Sequence, residues 1–401
     1  MTDVRAETLR VLADLVAFPT VTSEPNLELI AYADELLHAV GATTTITHDL
    51  DGRKANLFAT IGPPADGGVV LSGHTDVVPA STDGWATPPF RATRRDTRIH
   101  GRGTADMKGF IACALAMAPR FAAADLAVPV HLALTFDEEI GFRGAPILIA
   151  NLIGYGPVPS AAIVGEPTSM GVIGAHKGCH EFTTTITGVE GHASTPERGV
   201  NAVEHAVRYI AHLLDLRDEL AARAPVDSPF DPPESTISVG TIRGGAARNV
   251  IAGSCAFEWE LRPVRRADAD HVRASVRAFE TDLRDELRAR HPGAEVHTEV
   301  LASADGLETA PGSAALSLVE DLLGIVDTEV VSFGTEAGFY QQAGIPAVVC
   351  GPGSIDVAHQ ADEHIEIEQL DACLGMLDRL ADRLRTAPDP TVVGGERTAR
   401  P

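Results

Sequence analysis

In Ser72-Gly73-His74-Thr75-Asp76 a histidine and a carboxylate stand two residues apart, directly after the apolar run 69–72. A metal-ligating imidazole needs its second ring nitrogen held by an acceptor, and Asp76 is near enough in sequence to serve. A loop histidine beside a surface acid is the plainer reading. Gly101-Arg102-Gly103-Thr104-Ala105-Asp106-Met107-Lys108-Gly109 sets an acid at the start of a helical stretch. Asp106 there is either an N-cap or a carboxylate able to bridge two cations. The segment is not a dinucleotide fingerprint, because the third glycine is missing. Asp137, Glu138 and Glu139 crowd the end of the apolar run 128–136. Three consecutive acids at the mouth of a buried strand repel one another unless a cation or proton sits among them. The alternative is a solvated turn. Adjacent positions also permit a division of labour, with one carboxylate binding metal and the other moving protons.

Gly165-Glu166-Pro167-Thr168 follows the run 161–164, and Ala358-His359-Gln360-Ala361-Asp362-Glu363 follows the run 347–350. Each alone is a loop acid or loop histidine. Together, four separate runs end in His, Asp or Glu. Two imidazoles with three or four carboxylates match the ligand set of a paired zinc site, in which one carboxylate bridges cations ~3.5–4 Å apart. Nucleophilic chemistry has little support: the chain has no G-x-S-x-G elbow, no cysteine beside a histidine motif and no Walker-type phosphate loop.

The elements that must position these side chains follow from the same runs. Stretches 69–72, 128–136, 161–164 and 347–350 are apolar on both faces, as strands buried beneath helices in a largely parallel sheet are. Ligands of open α/β sheets collect at the carboxyl ends of such strands. Apolar residues recur at helical spacing over 4–16, 26–40, 107–118 and 314–323, giving a strand and helix alternation of the α/β class. The middle of the chain differs. It reads as strand, helix (199–223), Pro-rich connector (225–233), strands (236–242 and 249–262), helix (267–290) and strand. That order predicts a small α+β domain over 177–303, inserted between catalytic parts 1–176 and 304–401, with a frayed tail from about 387. A chain of 401 residues exceeds what one core usually organises.

The charge balance, 32 Lys and Arg against 56 Asp and Glu, gives a net −24. Such a field repels phosphate backbones and anionic lipid, so no nucleic acid and no membrane partner is expected. Five dispersed cysteines in apolar surroundings fit reduced thiols, and residues 1–15 hold no apolar signal core, so the expected location is cytoplasmic.

Taken in order, His74-Thr75-Asp76, the Gly103 to Gly109 segment, Asp137-Glu138-Glu139, Gly165-Glu166-Pro167-Thr168 and Ala358-His359-Gln360 resemble the signature set of the M20 metallopeptidase family over nearly the whole chain. The resemblance implies a zinc-peptidase-like, mostly parallel sheet sandwiched by helices, with the inserted α+β domain serving as lid and as the interface of a homodimer. By that likeness His74, Asp106 and Glu166 hold one divalent ion, and Asp106, Glu139 and His359 hold a second. The metal would be zinc, with cobalt and manganese also compatible with these ligands. Asp76 would orient His74, Glu138 would be the general base, and His192 in Gly191-His192-Ala193-Ser194 would stabilise the oxyanion. A non-proline cis peptide would join Asp106 to Met107.

Within the family, Ala175-His176-Lys177-Gly178, Arg198-Gly199-Val200-Asn201-Ala202, Arg248-Asn249-Val250-Ile251, Thr335-Glu336-Ala337 and Gly351-Pro352-Gly353-Ser354-Ile355 are similar to members that deacetylate N-acetyl-L-ornithine in arginine biosynthesis. Desuccinylases of the family carry paired arginines before the lid and a tyrosine after the lid histidine. Ala175-His176-Lys177-Gly178 and Ser194-Thr195-Pro196 stand in those places here, which suits an uncharged acetyl group. Arg262 with Asn249 resembles a clamp for the substrate α-carboxylate, and Glu336 is the expected partner of its ammonium. The alternatives are hydrolysis of another N-acyl amino acid, such as succinyl-diaminopimelate, or of a dipeptide, and a non-catalytic metal-binding protein on the same fold.

Overall fold

Strands apolar at every position must lie between two helical layers, because neither face tolerates water. In the computed structural model, which describes residues 2–81, 83–324 and 327–385, this holds for Val69–His74, Val130–Thr135 and Ala161–Val164, all buried along their full length. The chain divides into two compact units. One comprises residues 1–175, 307–329 and 335–401, and the other residues 176–306 and 330–334.

The principal sheet of the first unit runs in the order Thr43–His48, Ala55–Ile61, Val130–Thr135, Val69–His74, Ala161–Val164, Ala347–Val349, Val172–His176 and Leu307–Glu308. Its four central strands are mutually parallel, and antiparallel strands flank them. Alternation along the strands sorts side chains to two faces. Leu57, Leu71, Leu132, Leu134 and Ile163 join a core with Leu12 and Leu15 of helix Thr2–Ala17, Leu29 and Leu37 of helix Leu27–Ala39, and Phe110 and Phe121 of helix Lys108–Ala123. Asn56, by contrast, donates to the Gly144 carbonyl of helix Gly144–Tyr155 at 2.8 Å on the other face.

Helix Lys108–Ala123 is buried almost all round, including Lys108 itself. Its ammonium donates to the Leu15 and Phe18 carbonyls at 3.0 and 2.8 Å, closing the end of helix Thr2–Ala17 where carbonyls lack intrahelical partners. Burial lowers its pKa to about 7. All five cysteines are buried free thiols. Among the described residues no helix is long and apolar enough to cross a membrane.

In the second unit, strands Thr236–Gly244, Ser254–Arg262, Cys179–Thr187 and Glu295–Ala304 form one antiparallel sheet in that order. Helices Ala202–Ala222 and Arg266–Arg290 bury Tyr209, Leu213, Val272 and Leu283 with Ile186, Phe257 and Trp259 of the sheet. Asn201 caps the first of these helices, accepting from the backbone N–H of Val203 and Glu204. The strand expected over 249–262 begins only at Ser254, so Asn249 lies in the loop before it. The tail expected from 387 falls outside the described residues.

No apolar run marks the edge strand Thr43–His48, whose threonines stay half exposed. A three-stranded sheet of Thr93–Arg95, Arg98–His100 and His364–Glu366 is likewise too short and too polar to show in the sequence pattern. At Gly165 the backbone after strand Ala161–Val164 lies tight against helix Lys108–Ala123: a Cβ there would lie 2.0 Å from Phe110 Cγ. Gly165→Ala should therefore destabilise the fold by roughly 1–3 kcal/mol, the scale of overpacking a filled core, measured as a lowered denaturation midpoint in urea.

Candidate active site

Register decides where the chemistry collects. His74 pairs with Thr135 and Ser72 with Val164, so the parallel strands end at a common edge. The next residues in each strand's path are Thr75 and Asp76, Asp137 to Glu139, and Gly165 with Glu166, while His359 follows the fourth strand by a longer loop.

Asp106 lies at the centre. His74 Nε2 is 3.0 Å from its Oδ1 and His359 Nε2 is 3.1 Å from its Oδ2. His359 Nε2 is also 3.1 Å from Glu139 Oε1, and His74 Nε2 is 3.9 Å from Glu166 Oε2. Ligand atoms of His74, Asp106 and Glu139 all fall within 4.8 Å of one another. The peptide between Asp106 and Met107 is cis, as the resemblance implies.

Asp76 serves this cluster in two ways. Its backbone carbonyl, 2.9 Å from His74 Nδ1, fixes the ring so that Nε2 faces Asp106. Its carboxylate, 3.6 Å from the same nitrogen, accepts the backbone N–H groups of Glu138 and Glu139 at 3.1 and 3.2 Å. One residue thus orients an imidazole and seats the turn of acids. Lys54 holds that turn from the other side, pairing with Asp137 and with the Thr22 carbonyl. Asp137 and His359 both sit in the left-handed region, at φ 55° and 61°, a conformation that non-glycine residues keep only where their surroundings enforce it.

The electrostatics describe a site short of positive charge. Burial pushes the carboxyls of Glu138, Glu139 and Glu166 up, and neighbouring carboxylates add to it. Burial would also raise Asp106, but the imidazoles of His359 and His74 outweigh it and hold Asp106 well below the usual carboxylate range. Hydrogen bonds to Asp106 and Glu139 push His359 up to about 10. Burial opposes protonation of His74, yet Asp106 and Asp76 raise it well above its ordinary value. Glu166 Oε1 is buried without a hydrogen-bond partner among the described residues. The carboxylates of Asp106, Glu139 and Glu166 with the imidazoles of His74 and His359 form an oxygen and nitrogen donor set for divalent ions, which would offset the negative charge gathered here. The residues present therefore fit the paired-metal reading.

The remaining expected residues are placed differently. Glu336 is 1% exposed and neither carboxylate oxygen has a hydrogen-bond partner among the described residues. Burial pushes it up to about 7, against the influence of the Thr135 hydroxyl. It lies beside the cluster, within electrostatic reach of His74, Asp76 and Glu166. His192, Asn249 and Arg262 belong to the other compact unit. There the exposed His192 places Nδ1 2.6 Å from Ser194 Oγ, and the Ala193 N–H donates to the Asn249 carbonyl at 3.0 Å. Arg262 pairs with Glu260 at 2.8 Å. Sequence reasoning did not single out Lys54, since nothing local marks a lysine that pairs 83 positions away. Nor did it single out Arg102 and Glu363, a buried ion pair at 2.6 Å within two of the quoted motifs.

Residues 70–383 match the profile of peptidase family M20/M25/M40. Acetylornithine deacetylase of Myxococcus xanthus is 37% identical over 373 residues, covering 92% of this chain and 95% of that protein. An M20 family metallo-carboxypeptidase from Sulfolobus solfataricus superposes with a TM-score of 0.72 at 18% identity, covering 94% of this chain and 99% of that one. A dinuclear metal-binding peptidase of the M20 family from Bacillus subtilis does so with a TM-score of 0.61 at 17% identity, covering 96% and 100%.

Because His359 is raised to about 10, the metal-free site holds its proton at neutral pH, and a cation must displace it. Metal affinity should therefore rise as pH increases toward that value. Calorimetric titration of metal-stripped protein in two buffers of different ionisation enthalpy should show net proton release.

Proposed function

Because the chain belongs to peptidase family M20/M25/M40 and is accordingly a hydrolase acting on an amide, we propose that it removes the acetyl group from N-acetyl-L-ornithine, a step of arginine biosynthesis, releasing acetate and ornithine. The observation that carries the hydrolytic reading is the Asp106 carboxylate set between two imidazoles, 3.0 Å from His74 and 3.1 Å from His359. The choice of substrate is supported by the near full-length likeness to an acetylornithine deacetylase and by the absence of the residues that would hold a succinyl carboxylate.

His74, Asp106 and Glu166 are the proposed ligands of one divalent ion, and Asp106, Glu139 and His359 those of the other, with zinc or cobalt as the metals. When bound, such ions supply Lewis acidity for the acyl carbonyl and make water acidic enough to attack near neutral pH. The chain's own residues do the rest. Asp76 keeps His74 in the tautomer whose Nε2 lone pair is free to ligate. Glu138 takes the proton of the attacking water and returns it to the leaving amine nitrogen, a task for which a carboxyl raised by burial is suited. Its backbone N–H is anchored on Asp76, so the base and the ligand Glu139 share one support.

His192 is the proposed donor to the oxyanion that forms on the acyl carbonyl oxygen as the acyl carbon is attacked. Arg262 and Asn249 are proposed to hold the α-carboxylate, to which a guanidinium fork is well matched. The inserted unit is proposed as lid and homodimer interface, and the cytoplasm as the setting.

Glu138→Gln should lower kcat by about 10²–10⁴-fold, the range of general acid and base catalysis, while metal analysis still finds two ions per chain. Retention of most activity would remove Glu138 from the role of base. In a panel of acetylornithine, succinyl-diaminopimelate, acetylcitrulline and simple dipeptides, kcat/KM should be highest for acetylornithine. A preference for any other member would refute the proposed substrate and leave the hydrolase in place.

A further inference from the structure

Glu363 is completely buried, four residues beyond His359, and its carboxylate is engaged on every side described. Oε2 accepts from Arg102 Nη1 at 2.6 Å. Oε1 accepts from two successive backbone N–H groups, those of Ala105 at 2.9 Å and Asp106 at 3.2 Å. The Glu363 carbonyl accepts from Gly101 N–H at 3.0 Å. The small sheet brings these segments together: His364 pairs with His100, so the residues that precede one strand and follow the other must lie side by side. Arg102 is itself only 4% exposed, and its guanidinium lies over the Trp85 ring, 5.4 Å from the centroid.

A buried ion pair alone is weak evidence for stability, since desolvation can cancel the attraction. What sets this pair apart is the address of the two amides. They flank the Cα of Ala105 and end at the nitrogen of Asp106, so one carboxylate oxygen fixes the peptide that aims the Asp106 side chain. The same glutamate belongs to the segment that carries His359. Side chains that gather reacting or ligating atoms must be held to within about 0.5 Å, and supporting hydrogen bonds provide that precision.

We infer that Glu363, clamped by Arg102, is a positioning residue that sets Asp106 as the shared ligand of both metal ions and locks it to the segment bearing His359; this rests on the two-metal reading above. The clamp touches neither substrate nor metal. Its influence is on how tightly the site grips its ions and on how rigidly Asp106 spans the two imidazoles.

The test is calorimetric titration of metal-stripped protein with Zn²⁺, alongside thermal unfolding of the metal-free protein. Glu363→Gln keeps the shape and one acceptor oxygen but leaves Arg102 without its counter-charge. Affinity for Zn²⁺ should fall by about 10–100-fold, the scale for lost outer-shell partners, with KM at saturating metal unchanged. Should Glu363→Gln fail to fold, Arg102→Met reads the same quantity, since it removes the Nη1 donor to Oε2 while keeping much of the side chain's length; a several-fold loss is expected. Wild-type affinity in a folded variant overturns the inference, even with a lowered unfolding temperature, because a purely structural pair would lower only that temperature. Wild-type protein that binds no divalent ion would instead overturn the metal reading itself.

Discussion

One carboxylate facing two imidazoles organises the catalytic unit. Asp106 can stand between His74 and His359 only if a strand end, a helix start and a late loop arrive at one point, and each arrival has its own device. Parallel register brings His74 beside the acids after Thr135. The Gly-rich turn and the buried helix Lys108–Ala123 fix Asp106 from behind. The short sheet of Arg98–His100 and His364–Glu366 delivers the loop that bears His359. The inserted unit has its own antiparallel sheet and its own core, so the catalytic unit needs none of that segment to bury its strands.

The acids gathered here oppose folding. Glu138, Glu139, Glu166 and Glu336 are all raised by burial, which means that the folded chain disfavours their charged forms. Protons or cations must make up the difference, and a ligand that binds only the folded state adds its binding free energy to stability. Site and fold are therefore linked through the same groups. Lys54 eases the strain nearby by pairing with Asp137, and Lys108 closes the end of helix Thr2–Ala17.

The sequence made some of this legible and hid the rest for physical reasons. Uninterrupted apolar runs announced Val69–His74, Val130–Thr135 and Ala161–Val164, and the polar residues after each run are those the structure brings together. Helices with a clear apolar stripe, such as Ala314–Leu323, were equally plain. Strands at the margins were not, because Thr43–His48 and Arg98–His100 have one wet face and few apolar residues. Individual contacts were least legible. That the Asp76 carbonyl holds His74 while its carboxylate holds the next turn depends on backbone direction, and the sealing of Glu336 depends on neighbours distant in sequence. A motif names residue types; it does not say which atom of each will be used.

The order of the proposed ligands along the chain also has a consequence for biosynthesis. His74, Asp106, Glu139 and Glu166 precede the inserted unit, whereas His359 and the buried Glu363 follow it. At about 5–20 residues per second, a ribosome needs on the order of 10–40 s between adding Glu166 and adding His359. During that interval the nascent chain carries a half-built acidic pocket that lacks its second imidazole. The proposed metal centre is thus completed late in translation, and a chain truncated before His359 would hold the earlier proposed ligands without the second imidazole.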